Sequence, residues 1–172
     1  TLPDDEVSQL SVAILPLPGG EFYHYGTTHE ILSSTLAIQN TVNDQREIMH
    51  HSRKAHPSMF VQNAVLDISL TDKNHNIWIE NSHVGKHWNL SHDNVITGVP
   101  ENDWQINLMP GQCVDIVPVG ESEYAVRPYG YDDKFRGNIN DVATLFLGIP
   151  FMEWMTSRFT DLPCIAGSQD LQ

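Results

Sequence analysis

The densest group of reactive side chains is the segment Phe22-Tyr23-His24-Tyr25-Gly26-Thr27-Thr28, which sets an imidazole and two hydroxyls around a glycine. Thr27-Thr28-His29-Glu30 fits a capping box, in which the Thr27 hydroxyl and the Glu30 carboxylate satisfy free N–H groups at a helix start. Such a start attracts anions, because its unpaired N–H groups and its dipole both favour negative charge. His24, Thr27 and Thr28 are therefore candidate contacts for a phosphate or a sugar, with His24 adding a donor or a charge. The plainer account of the same residues makes Thr27 only a cap and His24 a half-buried strand residue.

Nine histidines raise the question of a metal. His50, His51 and His56 form one group and His83, His87 and His92 another, but neither has cysteine partners or a helical i, i+4 setting. The histidines are read as solvated or hydrogen-bonded, and no metal ligand is assigned. The sequence contains no Walker loop, G-x-G-x-x-G, H-E-x-x-H, C-x-x-C or G-x-S-x-G, so no catalytic residue is assigned either.

The elements that would position these groups change character along the chain. Ser11 to Pro18 is an apolar run closed by Gly19 and Gly20, and Glu21 to Tyr25 is a second short run; together they predict two strands around a turn. The stripe Ile31, Leu32, Thr35, Leu36 and Ile38 predicts a helix over about 28–39, with a continuation through Gln45 to His51. From Phe60 onward, short apolar segments alternate with Asn, Asp, His, Ser and Gly, as in a chain of short strands. Trp78, Val84, Leu90 and Ile96 recur every six residues, and Gly85 follows Val84 directly, which is the form of a hexapeptide repeat. Each hexad would supply one strand and one corner of a parallel β-helix, with its aliphatic residue pointing inward. Further strands are expected in Phe60 to Leu70 and Trp104 to Leu108, because one coil cannot bury its own inner face. Val114 to Val119 and Tyr124 to Arg127 predict a hairpin closed by the four residues Gly120 to Glu123. Pro150 suits the first position of a short helix carrying Phe151, Trp154, Met155 and Arg158, and the polar stretch beyond Asp161 reads as a linker.

Composition limits the function classes. The chain has 172 residues, 40% of them apolar, enough for a folded core but not a large one. Its formal net charge of −13 repels a polyphosphate backbone and argues against a nucleic-acid partner. Only Cys113 and Cys164 occur, at no disulfide-framework or zinc-site spacing, which predicts reduced thiols and a cytoplasmic setting. No apolar stretch reaches the roughly 20 residues that span a bilayer, so no membrane partner is expected.

Four segments carry a resemblance: His24-Tyr25-Gly26-Thr27-Thr28, Ile79-Glu80-Asn81-Ser82-His83-Val84-Gly85, Val95-Ile96-Thr97-Gly98, and Tyr129-Gly130-Tyr131-Asp132-Asp133-Lys134. In this order they resemble the fucose-1-phosphate guanylyltransferase (GDP-fucose pyrophosphorylase) family, from about Phe22 to Gly137 and more weakly to Asp161. Within that family the chain is most similar to the fused bacterial form that joins this activity to a fucokinase. The resemblance implies a parent enzyme that makes fucose-1-phosphate with ATP, and GDP-fucose and pyrophosphate with GTP, both steps assisted by Mg2+. The nucleotide-binding loops would lie before Thr1 and after Gln172, so the segment itself is expected to be inactive and without a cofactor. Related pyrophosphorylases often carry a metal-binding Asp where His24 stands; imidazole suits Mg2+ poorly, so His24 is assigned to substrate contact only.

The sequence thus predicts a mainly β protein: a left-handed parallel β-helix of hexapeptide-like coils with an added hairpin and two short helices. Residues 1–58 would connect from an upstream guanylyltransferase domain, 59–140 would form the β-helix and hairpin, and 141–172 would dock and lead into a downstream kinase domain. Its partners would be those two domains and a small sugar phosphate. The rival expectations are a non-catalytic β-helix module for oligomerisation or carbohydrate binding and, more weakly, a hexapeptide-repeat acyltransferase.

Overall fold

The computed structural model describes residues 9–41, 58–121, 123–134, 136–158 and 170–171. Its centre is a parallel β-solenoid. Strands β1 (Met59–Gln62), β3 (Ile77–Glu80) and β5 (Asn94–Thr97) stack in parallel with the start of β6 (Gln112–Val119), so that four rungs bound three coils. A second face carries β2 (Val65–Leu66) on β4 (His83–Val84), and a third has a parallel bridge between Asn89 and Asn107. Met59 pairs with Ile77, Ile77 with Asn94 and Ile96 with Val114, so the first and third coils are three full hexads long and the second is shorter by one residue. One hexad for each face of the coil is why a six-residue recurrence marks this fold.

Ile77, Ile79, Val84, Leu90, Ile96, Leu108 and Val114 form the buried interior, with Ala64, Leu66, Ile68, Trp104 and Ile106 packed at its margins. Val84, Leu90 and Ile96 point inward as the repeat predicts, and Gly85 is buried where a Cβ would crowd the Asn102 carbonyl. Trp78 corrects the expectation. It faces outward against Phe60, with ring centroids 4.2 Å apart, because the second coil falls one residue short of three hexads and the inward place passes to Ile79. A one-residue slip moves a strand side chain to the opposite face.

Left-handed corners recur on both sides of the long strands. Asn63, Asn81 and Gly98 have φ of 47°, 49° and 69°, and Asn76, Asp93 and Gly111 have 52°, 55° and 74°. Asn and Asp tolerate this region because their short polar side chains bond locally. Here they also bond across rungs, the Asn63 amide donating to Asn81 Oδ1 at 2.7 Å and the Asn76 amide to Asp93 Oδ1 at 2.9 Å. Asn74 and Asn94 are buried but satisfied: the Asn94 amide donates to the Met109 and Gln112 carbonyls, and its oxygen accepts from Ser91 N–H.

The run of corners ends one rung past Gly98, at Ile116, whose carbonyl oxygen a Cβ on Gly98 would overlap. There β6 runs straight on and returns antiparallel as β7 (Glu123–Gly130). The expected hairpin is present, but Val119 lies opposite Glu123, so Glu123, expected in the loop, belongs to the strand. Pro118 lies beyond the part of β6 that pairs with β5, and Pro128 sits on the edge strand, positions where a missing N–H is tolerated.

Helix α1 (Thr28–Thr41) extends two residues past the predicted end; its expected continuation, like residues 1–8, lies outside the described residues. The predicted strands over Ser11–Pro18 and Glu21–Tyr25 are absent. That run is irregular, with Val12 and Ile14 each 92% exposed, and only the turn at Gly19 is present, Gly20 N–H donating to the Leu17 carbonyl at 3.0 Å. A strand needs a neighbour for its backbone, and none of the described residues supplies one.

On the C-terminal side, β8 (Gly137–Asn138) pairs with β11 (Asp170–Leu171), and β9 (Leu145–Phe146) with β10 (Ile149–Pro150). The expected helix is present as α2 (Phe151–Arg158), but Pro150, expected at its first position, pairs in β10 and precedes it; Trp154 is set edge-on to Phe146. Of the stretch beyond Asp161 read as a linker, residues 162–169 and 172 lie outside the described residues. No described helix is long and apolar enough to cross a membrane.

Candidate functional site

Two rows of outward side chains cross the long sheet, two residues apart along each strand. The first is Phe60, Trp78, Val95, Cys113 and Tyr129 in register; helix α1 covers it with Leu32 and Leu36. Burial pushes the Cys113 thiol up to about 12, so it stays protonated and unreactive in this row. The second row, Gln62, Glu80, Thr97, Asp115 and Arg127, runs beside the helix and is polar throughout. The Trp78 indole N–H donates to Glu80 at 3.2 Å and ties the rows together.

Where the helix start meets the polar row, Thr28, Thr97, Asp115, Arg127, Pro128 and Tyr129 line an open groove of about 470 Å³. Its chemistry centres on Asp115. Partial burial opposes ionisation of this carboxyl, but the Thr97 hydroxyl donates to it at 2.7 Å and Arg127 pairs with it, and the net effect holds it below its ordinary range. Burial raises the Tyr129 phenol, so it remains a neutral hydrogen-bonding ring. With Arg127 balanced by Asp115, the groove offers hydroxyl, carboxylate, guanidinium and an aromatic ring without net charge. That set suits a neutral polyol better than a free phosphate. Asp115 is already engaged by Thr97 and Arg127, so it does not fit Mg2+, which requires several free oxygen ligands.

The three residues singled out in the sequence separate here. Thr28 lines the groove. Thr27 serves the cap: its hydroxyl accepts from Glu30 N–H at 3.2 Å and donates to the Glu30 carboxylate at 3.1 Å, which also accepts from Gly26 N–H at 3.1 Å. His24 is exposed and pairs with the same carboxylate at 3.1 Å, while its backbone carbonyl accepts from the buried Ser34 at 2.6 Å. The His24 contact is the leading reason that the Glu30 carboxyl is held below its ordinary range, with the Thr27 hydroxyl adding to it. Asp115, Arg127 and Tyr129 were not anticipated, because only the register between coils shows that they share a face with Thr97.

The histidine group His83, His87 and His92 does not assemble into a ligand set. His83 pairs with Asp67 at 2.7 Å, His92 pairs with Asp93 at 2.6 Å, and His50, His51 and His56 lie outside the described residues.

Comparison with curated proteins gives a match along almost the whole segment. The chain is 56% identical over 164 residues, 94% of its own length, to a Bacteroides fragilis protein named L-fucokinase/L-fucose-1-P guanylyltransferase. The chain matches a fragment of that protein. It spans 17% of that relative's length, in keeping with a piece of a larger fused enzyme, and the resemblance seen in the sequence is borne out. No family model matches the chain, and no solved structure matches it.

Proposed function

We propose that the chain is the central segment of a GDP-fucose-forming enzyme, in which it holds a guanylyltransferase domain and a fucokinase domain in a fixed relation. The observation that carries this reading is the 56% identity over 94% of the chain to a fragment of the Bacteroides fragilis protein. A solenoid supports it physically. Each rung is hydrogen-bonded to the next, so the body is stiff and can seat a domain at each end. The exposed run Val12–Leu17 would then pair within the upstream domain, a neighbour that none of the described residues provides. The parent would convert fucose-1-phosphate and GTP to GDP-fucose and pyrophosphate, with Mg2+ held by its catalytic domains, in a cytoplasmic salvage reaction.

In this reading the groove is where the segment meets the sugar: the Thr28 hydroxyl donates to or accepts from sugar hydroxyls, the Asp115 carboxylate accepts from them and Tyr129 presents its ring, while His24 and Thr27 hold the helix start in place. In the fused polypeptide, Asp115→Ala and His24→Ala should both slow GDP-fucose formation and leave fucokinase turnover unchanged. Equal losses in both activities, or none, would reject the assignment. The polar row also favours a second reading, a carbohydrate-binding module without a catalytic role. If the segment binds fucose when the flanking domains are removed, and its groove variants leave both activities intact, the second reading stands.

A further inference from the structure

We propose that His75, His92 and Asp93 form a site for one divalent transition-metal ion of the zinc class, bridging the first two coils. The pairing of Ile77 with Asn94 sets His75 against His92 and Asn76 against Asp93, at the strand separation of a parallel sheet. Asp93 N–H donates to the His75 carbonyl at 3.0 Å, and the two imidazoles stack with centroids 4.7 Å apart and planes 10° apart. Because Asp93 occupies a left-handed corner, its carboxylate turns back over its own neighbour, with Oδ2 2.6 Å from His92 Nδ1. The other oxygen accepts from the Asn76 amide at 2.9 Å, so the carboxylate is held from outside the cluster.

One ligand atom from each of the three residues lies within 4.8 Å of the others. Tetrahedral zinc with bonds of about 2.0–2.1 Å sets its ligand atoms about 3.3 Å apart. Closing the set takes a rotation of His75, the exposed member, and a widening of the 2.6 Å contact between His92 and Asp93 to the ligand spacing as the metal replaces their hydrogen bond. Two imidazoles and one carboxylate favour Zn2+, Co2+ or Ni2+ over Mg2+ and Ca2+, which prefer oxygen alone. The Asn76 amide on Asp93 plays the outer role that fixes a ligand's orientation. The next rung has Pro110 and Gly111 at the corresponding corner, where Gly111 N–H donates to the His92 carbonyl, so the cluster is confined to two coils. The site lies apart from the groove at the helix start and would act as a clip between rungs.

The test is a calorimetric titration of the chelator-treated 172-residue chain with ZnCl2, repeated with MgCl2, together with thermal melting. One Zn2+ should bind per chain and raise the melting temperature, and Mg2+ should do neither. His75→Ala, a change at an exposed side chain, should weaken zinc binding at least about tenfold. His92→Ala should do the same, and His87→Ala should leave it unchanged. Co2+ in place of Zn2+ should give visible absorption bands that are lost in His75→Ala. The proposal is overturned if no saturable zinc binding occurs, or if His75→Ala binds zinc as tightly as the unaltered chain.

Discussion

The coil region and the N-terminal run are built from similar apolar residues and have opposite fates. Ile79, Val84 and Ile96 have no exposure, whereas Val12 and Ile14 are each 92% exposed. Propensity does not separate them, since both regions are rich in valine, isoleucine and leucine. What separates them is register: each coil residue has a counterpart one rung away, and residues 11–18 have none among those described. Burial in this molecule follows from repetition, and an apolar run without a repeat stays bare until another surface meets it.

That contrast can be broken from either side. Val84→Asp should have the largest effect, about 4 kcal/mol or more lost in urea denaturation, because a carboxylate among aliphatic side chains has no partner. Retention of the normal denaturation midpoint would mean that Val84 faces outward. Gly98→Ala should cost about 2 kcal/mol, since the left-handed corner is strained for alanine and its Cβ meets the Ile116 carbonyl.

Thr27→Ala should cost about 1 kcal/mol, the usual loss for a helix cap, read as earlier melting of the helical circular dichroism signal. The same cap predicts an acid response. The Glu30 carboxyl lies below its ordinary value of 4.5 in the folded chain. Its contribution is therefore complete above that value and disappears as the pH falls through the lower folded one. An acid titration in which Thr27→Ala and the unaltered chain stay equally far apart at every pH would contradict this linkage. Val12→Ser should have the smallest effect, within about 0.5 kcal/mol in the isolated chain. A large loss there would show that the run is covered after all.

Much of this architecture was legible because a hexapeptide ladder states its geometry directly: Val84, Leu90 and Ile96 named the interior, and Gly85 after Val84 marked the repeat. Thr27 and Glu30 likewise named their own cap, since a capping box is local. Trp78 was misread because counting by six assumes that every coil holds three full hexads, and a single shortened coil shifts the phase. The strands expected over Ser11–Tyr25 failed for a different reason: alternation and β-branching describe a segment that can pair, not one that has a mate. The groove was invisible except for Thr28, because Asp115, Arg127 and Tyr129 join it through pairings between distant rungs and strands that no local motif announces. The corner residues offered an unused signal. Asn63 with Asn81, and Asn76 with Asp93, repeat at the coil period as plainly as the aliphatic residues do.

The straight run of β6 past Gly98 bears on how copies of this protein coexist at high concentration. A bare terminal rung invites another molecule to add its own, and growth by such addition gives fibrils. At this end the invitation is withdrawn by a folded-back ribbon whose outermost strand carries proline and charge, Pro128 and Arg127, so polymerisation in that direction is blocked by the chain itself.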